Sequence, residues 1–118
     1  MSASFKDLVV WQRAIELTVA IYNLTAEFPS NERFGLTNQL RRASVSVASN
    51  IAEGYGRATR GEYRQFLGHA RGSICEVQTQ LVISDRLTLG RDKLRAHAYS
   101  LSEEVSRMLV AIMKKVSC

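Results

Sequence analysis

The sequence predicts an all-α protein, an antiparallel up-down four-helix bundle that occupies residues 1–118 as a single domain. Three observations lead to this prediction. Apolar residues recur at spacings of three and four along four long segments, which is the period of an amphipathic helix. Short connections join the segments, so that neighbours in the chain should pack antiparallel. The chain contains only one proline, Pro29, and few other helix breakers.

The first helix is predicted from about Asp7 to Glu27, with the side-chain oxygen of Ser4 or Asp7 as its cap. Pro29 should end it, because proline disfavours helical geometry at the preceding residue. Two neighbouring apolar rows make its apolar face wider than a coiled-coil seam, wide enough for a core and for a second subunit. The rows are Leu8, Trp11, Ile15, Thr18, Tyr22, Thr25 and Val10, Ala14, Leu17, Ile21, Leu24, Phe28.

The second helix is predicted from about Leu36 to Glu53. Its middle is rich in serine and alanine, and such small side chains let another helix approach closely. Asn50 lies beside the inward row, where an amide without hydrogen-bond partners costs roughly 2 kcal/mol or more. Gly54 is expected just after the last helical residue, the position where glycine most often ends a helix. The inward row is Leu36, Leu40, Ala43, Val47 and Ile51.

The third helix is predicted to begin near Arg60, since Thr59 and Glu62 have the spacing of a capping box. Gly68 and Gly72 lie one turn apart in it, and each costs about 1 kcal/mol relative to alanine. That cost predicts a close contact with another helix. Gly90 is the expected stop. The inward row is Tyr63, Phe66 or Leu67, Ala70, Ile74, Val77 and Leu81.

The fourth helix is predicted from Asp92, which can cap it, to about Lys115. Its last turn carries Lys114 and Lys115, which suit the negative end of the helix dipole. A clean apolar row marks the buried side: Leu94, Ala98, Leu101, Val105, Met108, Ile112 and Val116.

The positive charge is concentrated in the middle third of the chain. The net charge is +5, and the segment from Arg33 to Arg71 contains seven arginines and two acidic residues, so it holds the whole excess. Arginine forms paired hydrogen bonds with phosphate and stacks on bases. We therefore predict a basic strip that binds nucleic acid, RNA or DNA, through its phosphates. The candidate residues are Arg41, Arg42, Arg57, Arg60, Arg64 and Arg71.

A competing interpretation makes these arginines structural. Arginine richness also follows from a GC-rich genome, and arginines at a bundle edge often pair with carboxylates. The partners would be Glu53, Glu62 or Glu76. The charge clustering is moderately specific, and no aromatic-rich RNA motif accompanies it.

No catalytic, metal or cofactor site is predicted, and the protein is not expected to be an enzyme. His69 and His97 lack metal-ligand spacing with Cys75 or with the acidic residues. Asn50 and Glu53 lack a nucleophile or a general base nearby, so packing is the better interpretation. Cys75 and Cys118 are expected to be reduced thiols of a cytoplasmic protein. No signal peptide or membrane span is predicted.

Three stretches resemble a known family: FKDLVVWQRAIEL near the start, FGLTNQLRRASVSVASNIAEGYGR in the middle and GSICEVQTQL later. The family comprises small bacterial proteins first met as reading frames inside intervening sequences of 23S ribosomal RNA genes, sometimes labelled S23. Its most specific mark here is Ser49 to Gly54. The sequence departs from the family pattern at Ala48, where proline is common, and at Arg71, where alanine is common.

The resemblance implies a four-helix bundle that assembles as a homopentamer with a positively charged surface, and no established enzymatic activity. It also implies kinship with the accessory protein of diversity-generating retroelements, a similar pentamer that binds reverse transcriptase and nucleic acid. Two hypotheses follow. The first is a homo-oligomer that binds RNA through the arginines. The second is a scaffold that docks a protein partner with an acidic face.

Overall fold

The computed structural model describes residues 4–116, and no strand occurs in this part of the chain. Two short 3-10 turns, Phe5–Asp7 and Ser30–Glu32, precede the first two helices. The prediction of an all-α bundle is confirmed. The four α-helices are α1 (Val9–Thr25), α2 (Leu36–Tyr55), α3 (Arg60–Arg86) and α4 (Asp92–Val116).

The helices are arranged as a square. Each helix packs against two others, α1 and α3 both contacting α2 and α4, while no Cα atoms of diagonal helices lie within 8 Å of each other in the described residues. Short loops join consecutive helices, which therefore run antiparallel. The described part of the chain measures 44 × 23 × 23 Å. The face formed by α1 and α2 consequently lies opposite the face formed by α3 and α4.

The core uses the whole of one apolar row predicted on α1 and only part of the other. The row that includes Leu17 and Ile21 is fully buried, whereas Ile15 and Tyr22 of the other row are exposed and Trp11 is half-buried. The wide apolar face predicted for this helix therefore exceeds what the core covers. The other helices contribute Leu40, Val47, Ile51, Leu67, Ala70, Ile74, Val77, Leu81, Ala98, Leu101, Val105 and Leu109.

Gly54 lies inside α2, which continues through Tyr55, so its predicted place after the helix end is wrong. The physical reason for glycine is the approach of α3. A Cβ atom at this position would lie 2.7 Å from the Cβ of Phe66 and 3.1 Å from Cδ1 of Tyr63. Only a residue without a side chain lets the two helices pack this closely.

The close contact predicted at the glycines of α3 is not found. A Cβ atom at Gly72 would meet nothing within 4 Å. At Gly68 it would lie 3.8 Å from the terminal methyl of Met113, an ordinary van der Waals contact. The glycine that allows close packing between α2 and α3 is thus Gly54 of α2, and not a glycine of α3.

Polar residues at the α2–α3 interface are joined in a small network. The amide of Asn50 donates to the backbone carbonyl and to the hydroxyl of Ser46, at 2.8 and 2.9 Å. The hydroxyls of Ser46 and Ser73 are hydrogen-bonded across the two helices at 2.9 Å. Asn50 therefore has the partners that its position requires, in agreement with the packing interpretation.

The ends of α3 illustrate one correct and one wrong prediction. The Thr59 hydroxyl accepts a hydrogen bond from the backbone N–H of Glu62 at 3.1 Å, which confirms the predicted cap. The helix ends at Arg86, four residues before the predicted stop at Gly90. Thr88, with a φ of 57°, turns the chain instead.

The turn at Thr88 is a Schellman motif, closed by hydrogen bonds from the backbone N–H of Leu89 to the carbonyl of Ser84 (2.9 Å) and from Thr88 to Asp85 (3.0 Å). A β-branched residue is rare in this left-handed conformation, so the threonine at position 88 did not indicate the end of the helix in the sequence. Gly90 follows in the loop with a φ of 72°.

None of the described helices is long and apolar enough to span a bilayer. Cys118, predicted to be a reduced thiol, lies outside the described residues, and Cys75 is exposed and not in a disulfide.

Candidate nucleic-acid interface

Three of the six candidate arginines lie together at one end of the bundle. Arg57 follows the last turn of α2, and Arg60 and Arg64 occupy the first two turns of α3. Arg57 Nη2 is 3.3 Å from Oε2 of Glu53, and its guanidinium lies 4.6 Å from the ring centroid of Phe66. All three arginines are exposed.

Arg71 continues this group along one edge of α3. It is seven residues from Arg64, so both lie on the same side of the helix. Gln78, seven residues further on, donates to the hydroxyl of Ser102 in α4 at 3.2 Å. The edge that carries these arginines therefore borders the groove between α3 and α4.

Arg41 and Arg42 do not extend that edge. Arg41 turns toward α1, where its Nε donates to Oγ1 of Thr25 at 2.9 Å and its guanidinium lies 4.4 Å from the ring centroid of Tyr22. Arg42 lies at a cavity between α2 and α3. Arg41 and Arg42 both line a groove beside Tyr22. The continuous strip expected from the sequence is thus divided between two parts of the surface.

Most of these arginines have no carboxylate partner. Among Arg33, Arg41, Arg42, Arg57, Arg60 and Arg71, only Arg57 forms an ion pair with another described residue. Of the three carboxylates proposed as partners, Glu53 takes this role, Glu62 accepts from the Thr59 hydroxyl, and Glu76 has no arginine partner in residues 4–116.

Three of the five arginines elsewhere in the chain, Arg13, Arg91 and Arg95, are paired with carboxylates. Arg13 of α1 binds both carboxylate oxygens of Glu104 in α4, at 3.0 and 2.7 Å. This pairing raises the pKa of Arg13 and lowers the pKa of Glu104. Arg91 likewise holds Glu27 at 2.6 Å and lowers the pKa of that carboxyl.

Arg95 is the one arginine buried by the α3–α4 connection. It bonds to Asp85 at 3.2 Å, to the backbone carbonyl of Leu89 at 2.7 Å, and to Asp92 and the carbonyl of Gly90. Its charge is thereby used to hold the loop. The charged contacts that hold the bundle together are therefore separate from the arginine-rich segment.

The sequence did not predict that lysines would join the arginine cluster. Because the helices alternate in direction, the end of α4 lies at the same end of the bundle as the start of α3. Lys114 and Lys115 occupy the last turn of α4 there. We call this region the basic end, defined by Arg57, Arg60, Arg64, Lys114 and Lys115.

A second feature missed from the sequence is the cavity that Arg42 borders. Its volume is about 500 Å³. Gln80 of α3 is 9% exposed, and its Oε1 has no hydrogen-bond donor among the described residues. A buried polar atom without a partner costs about 1–3 kcal/mol. Gln80 lies three residues after Val77 and so continues the buried side of α3. A polar residue at such an inward position is the sequence feature that could have indicated the cavity.

The described residues contain no cluster of three His, Cys, Asp or Glu side chains that could hold a metal ion. The ring of His69 packs edge-on against Phe66, with centroids 5.7 Å apart. Burial raises the pKa of Tyr63, which packs against Tyr55 at the α2–α3 junction. These are packing contacts and do not resemble a catalytic arrangement.

Comparison with known proteins identifies the family. The model of the 23S rRNA-intervening sequence protein family matches residues 6–111, nearly the whole chain. The chain belongs to this family. Family membership confirms the resemblance found in the sequence, while kinship with the retroelement accessory protein stays a prediction. No curated protein matches the chain.

A solved structure has the same fold as this 23S rRNA-intervening sequence protein. It is a protein of unknown function from the S23 ribosomal protein family of Bacteroides thetaiotaomicron. The two chains are 22% identical, with a TM-score of 0.80 over 90% of this chain and 99% of the other. At this identity the similarity establishes the fold alone.

Proposed function

We propose that this family member is a cytoplasmic homo-oligomer, a pentamer, that binds RNA through its phosphates and has no enzymatic activity. The observation that carries the proposal is the contrast between the two sets of arginines. Arg13, Arg91 and Arg95 are bound to carboxylates, whereas Arg41, Arg42, Arg60 and Arg71 form no ion pair with another described residue. Cationic side chains that pair with no carboxylate of the described chain favour an anionic partner.

Phosphate is the partner that fits this surface best. The basic end brings together arginines and lysines from α2, α3 and α4, spread over a bundle about 23 Å wide. Double-stranded nucleic acid presents one charge per about 1.7 Å of its axis, so several phosphates would lie within reach. The exposed guanidiniums of Arg60 and Arg71 can each form paired hydrogen bonds with a phosphate.

Two unlike apolar surfaces support the homo-oligomer. On the α1–α2 face, Ile15, Tyr22 and Val45 are exposed beside an apolar groove of about 310 Å³. On the opposite α3–α4 face, Val82 and Leu87 are exposed near a groove of about 470 Å³. When one surface of a subunit meets a different surface of the next, the contact is heterologous and repeats until a ring closes. The resemblance implies that the ring has five subunits.

The molar mass in solution tests the assembly. Five chains of 13.2 kDa weigh about 66 kDa. Size-exclusion chromatography with light scattering should give this value, unchanged on dilution through the micromolar range. A mass of one chain would contradict the homo-oligomer, and a smaller closed ring would contradict the pentamer alone.

The salt dependence of RNA binding tests the function. Fluorescence anisotropy of a labelled RNA hairpin with nuclease-treated protein should show the logarithm of affinity falling linearly with the logarithm of salt concentration. Four or more phosphate contacts predict a slope of about −3 or steeper. Binding without this slope, or no binding at the lowest salt, would contradict the proposal. A pull-down of an acidic protein that resists nuclease would then favour the scaffold hypothesis.

A further inference from the structure

We propose that the cavity between α2 and α3 binds one unpaired nucleobase that carries an exocyclic amino group. This inference rests on the proposed RNA binding and assigns a base-recognition site to it. We call the cavity the amide pocket. The residues that line it include Phe34, Gln39, Arg42, Glu76 and Gln80.

Gln80 supplies the central observation. Its side chain is among those that line the pocket and is 9% exposed, and its Oε1 accepts no hydrogen bond from any described residue. Its Nε2 donates to Oε1 of Gln39 at 3.3 Å, which fixes the orientation of the amide. A buried acceptor held in place in this way is suited to a ligand that brings an N–H group.

Glu76 adds a second acceptor on the same wall. It is exposed, lines the pocket and has no basic partner within residues 4–116. Two acceptors, one amide and one carboxylate, match the two hydrogens of an exocyclic amino group. Carboxylates accept from the amino group of cytosine, and glutamine recognises that of adenine. Uracil has a carbonyl in place of the amino group, and its N3–H can donate to only one of the two acceptors. The pocket should therefore discriminate against it.

Phe34 and Arg42 complete the recognition of a nucleotide. The ring of Phe34 lines the mouth of the pocket and is 84% exposed, the most exposed large apolar side chain of the described chain. Exposed aromatic rings stack on unpaired bases in RNA-binding proteins. Arg42 lines the same pocket without a carboxylate partner and can hold the phosphate of the stacked nucleotide.

Oligocytidine and oligouridine of equal length give a matched pair of probes at neutral pH. Their bases differ at position 4, an amino group in cytosine and a carbonyl in uracil, and at N3, which is unprotonated in cytosine and carries a hydrogen in uracil. Fluorescence anisotropy with the full chain should show about tenfold tighter binding of oligocytidine. Gln80→Met should abolish this preference by weakening the binding of oligocytidine to the level of oligouridine. Gln65→Met, an exposed glutamine of α3 outside the pocket, should keep it.

Phe34→Ala is a second test variant. It should leave the bundle folded, because the side chain is almost fully exposed. It should weaken the binding of both oligonucleotides by about tenfold through lost stacking. Equal binding of the two probes by the unmodified protein, or tighter binding of oligouridine, would overturn the amide pocket alone. An unchanged preference in Gln80→Met would do the same. Absence of binding to any RNA, the hairpin included, would overturn both proposals.

Discussion

Replacing Gly54 with alanine should lower the thermal midpoint of unfolding by about 8 °C, because about 2 kcal/mol is lost from a domain of this size. The new Cβ would lie 2.7 Å from the Cβ of Phe66. Since that atom is fixed to the backbone of α3, the two helices must separate. Overpacking of this kind costs about 3 kcal/mol, and the better helix propensity of alanine returns about 1 kcal/mol. Circular dichroism at one fixed protein concentration measures the shift.

Gly72→Ala is the matched control for this prediction. Gly72 is also inside a helix, but a Cβ there would meet nothing within 4 Å. Helix propensity should then dominate and stabilise the protein by about 0.5–1 kcal/mol. If both variants are equally stable, a Cβ atom at position 54 does not force α2 and α3 apart, and the prediction is wrong.

Reversing three charges at the basic end should weaken RNA binding by about a hundredfold at moderate salt. The variant is Arg57→Glu, Arg60→Glu and Arg64→Glu. Loss of three phosphate contacts should also make the slope of log affinity against log salt shallower by about 2 to 3. Both quantities come from one anisotropy series on the hairpin RNA. Far-UV circular dichroism checks that the bundle remains folded.

A control with the same change in net charge separates location from overall charge. Arg86, Lys93 and Arg107 are exposed residues outside the basic end, and each can be changed to glutamate. This variant should keep most of the affinity and nearly all of the slope. Equal losses in the two triple variants would mean that the RNA responds to total charge, and the assignment of the basic end would fail.

The sequence predicted those features that depend on residues close together in the chain. The start of α3 followed from Thr59 and Glu62, whose capping contact spans three residues, and the four helices followed from their periodicity. The end of α3 was missed because Thr88 adopts a left-handed conformation that its side chain normally disfavours. The partner of Gly54 is on another helix, so periodicity in α2 could not reveal it.

The candidate site was predictable in its residue types but not in its arrangement. The excess of arginine is visible in the composition, whereas the division of Arg41 from Arg60 depends on which neighbouring helix each side chain faces. Arg41 faces α1 through Thr25 and Tyr22. The orientation of the Gln80 amide likewise depends on its hydrogen bond to Gln39 of the adjacent helix, which the sequence does not reveal.

The square arrangement of the helices also bears on how the chain folds. Three of its four interfaces join helices that are consecutive in the chain, and no Cα atoms of a diagonal pair lie within 8 Å of each other in the described part. The chain loses little entropy when it forms contacts of short sequence separation. The folding time should therefore lie in the microsecond to millisecond range of helical bundles. The α1–α4 interface alone joins distant segments. The pairing of Arg13 with Glu104 across it therefore belongs to the last stage of closure and should affect unfolding more than folding.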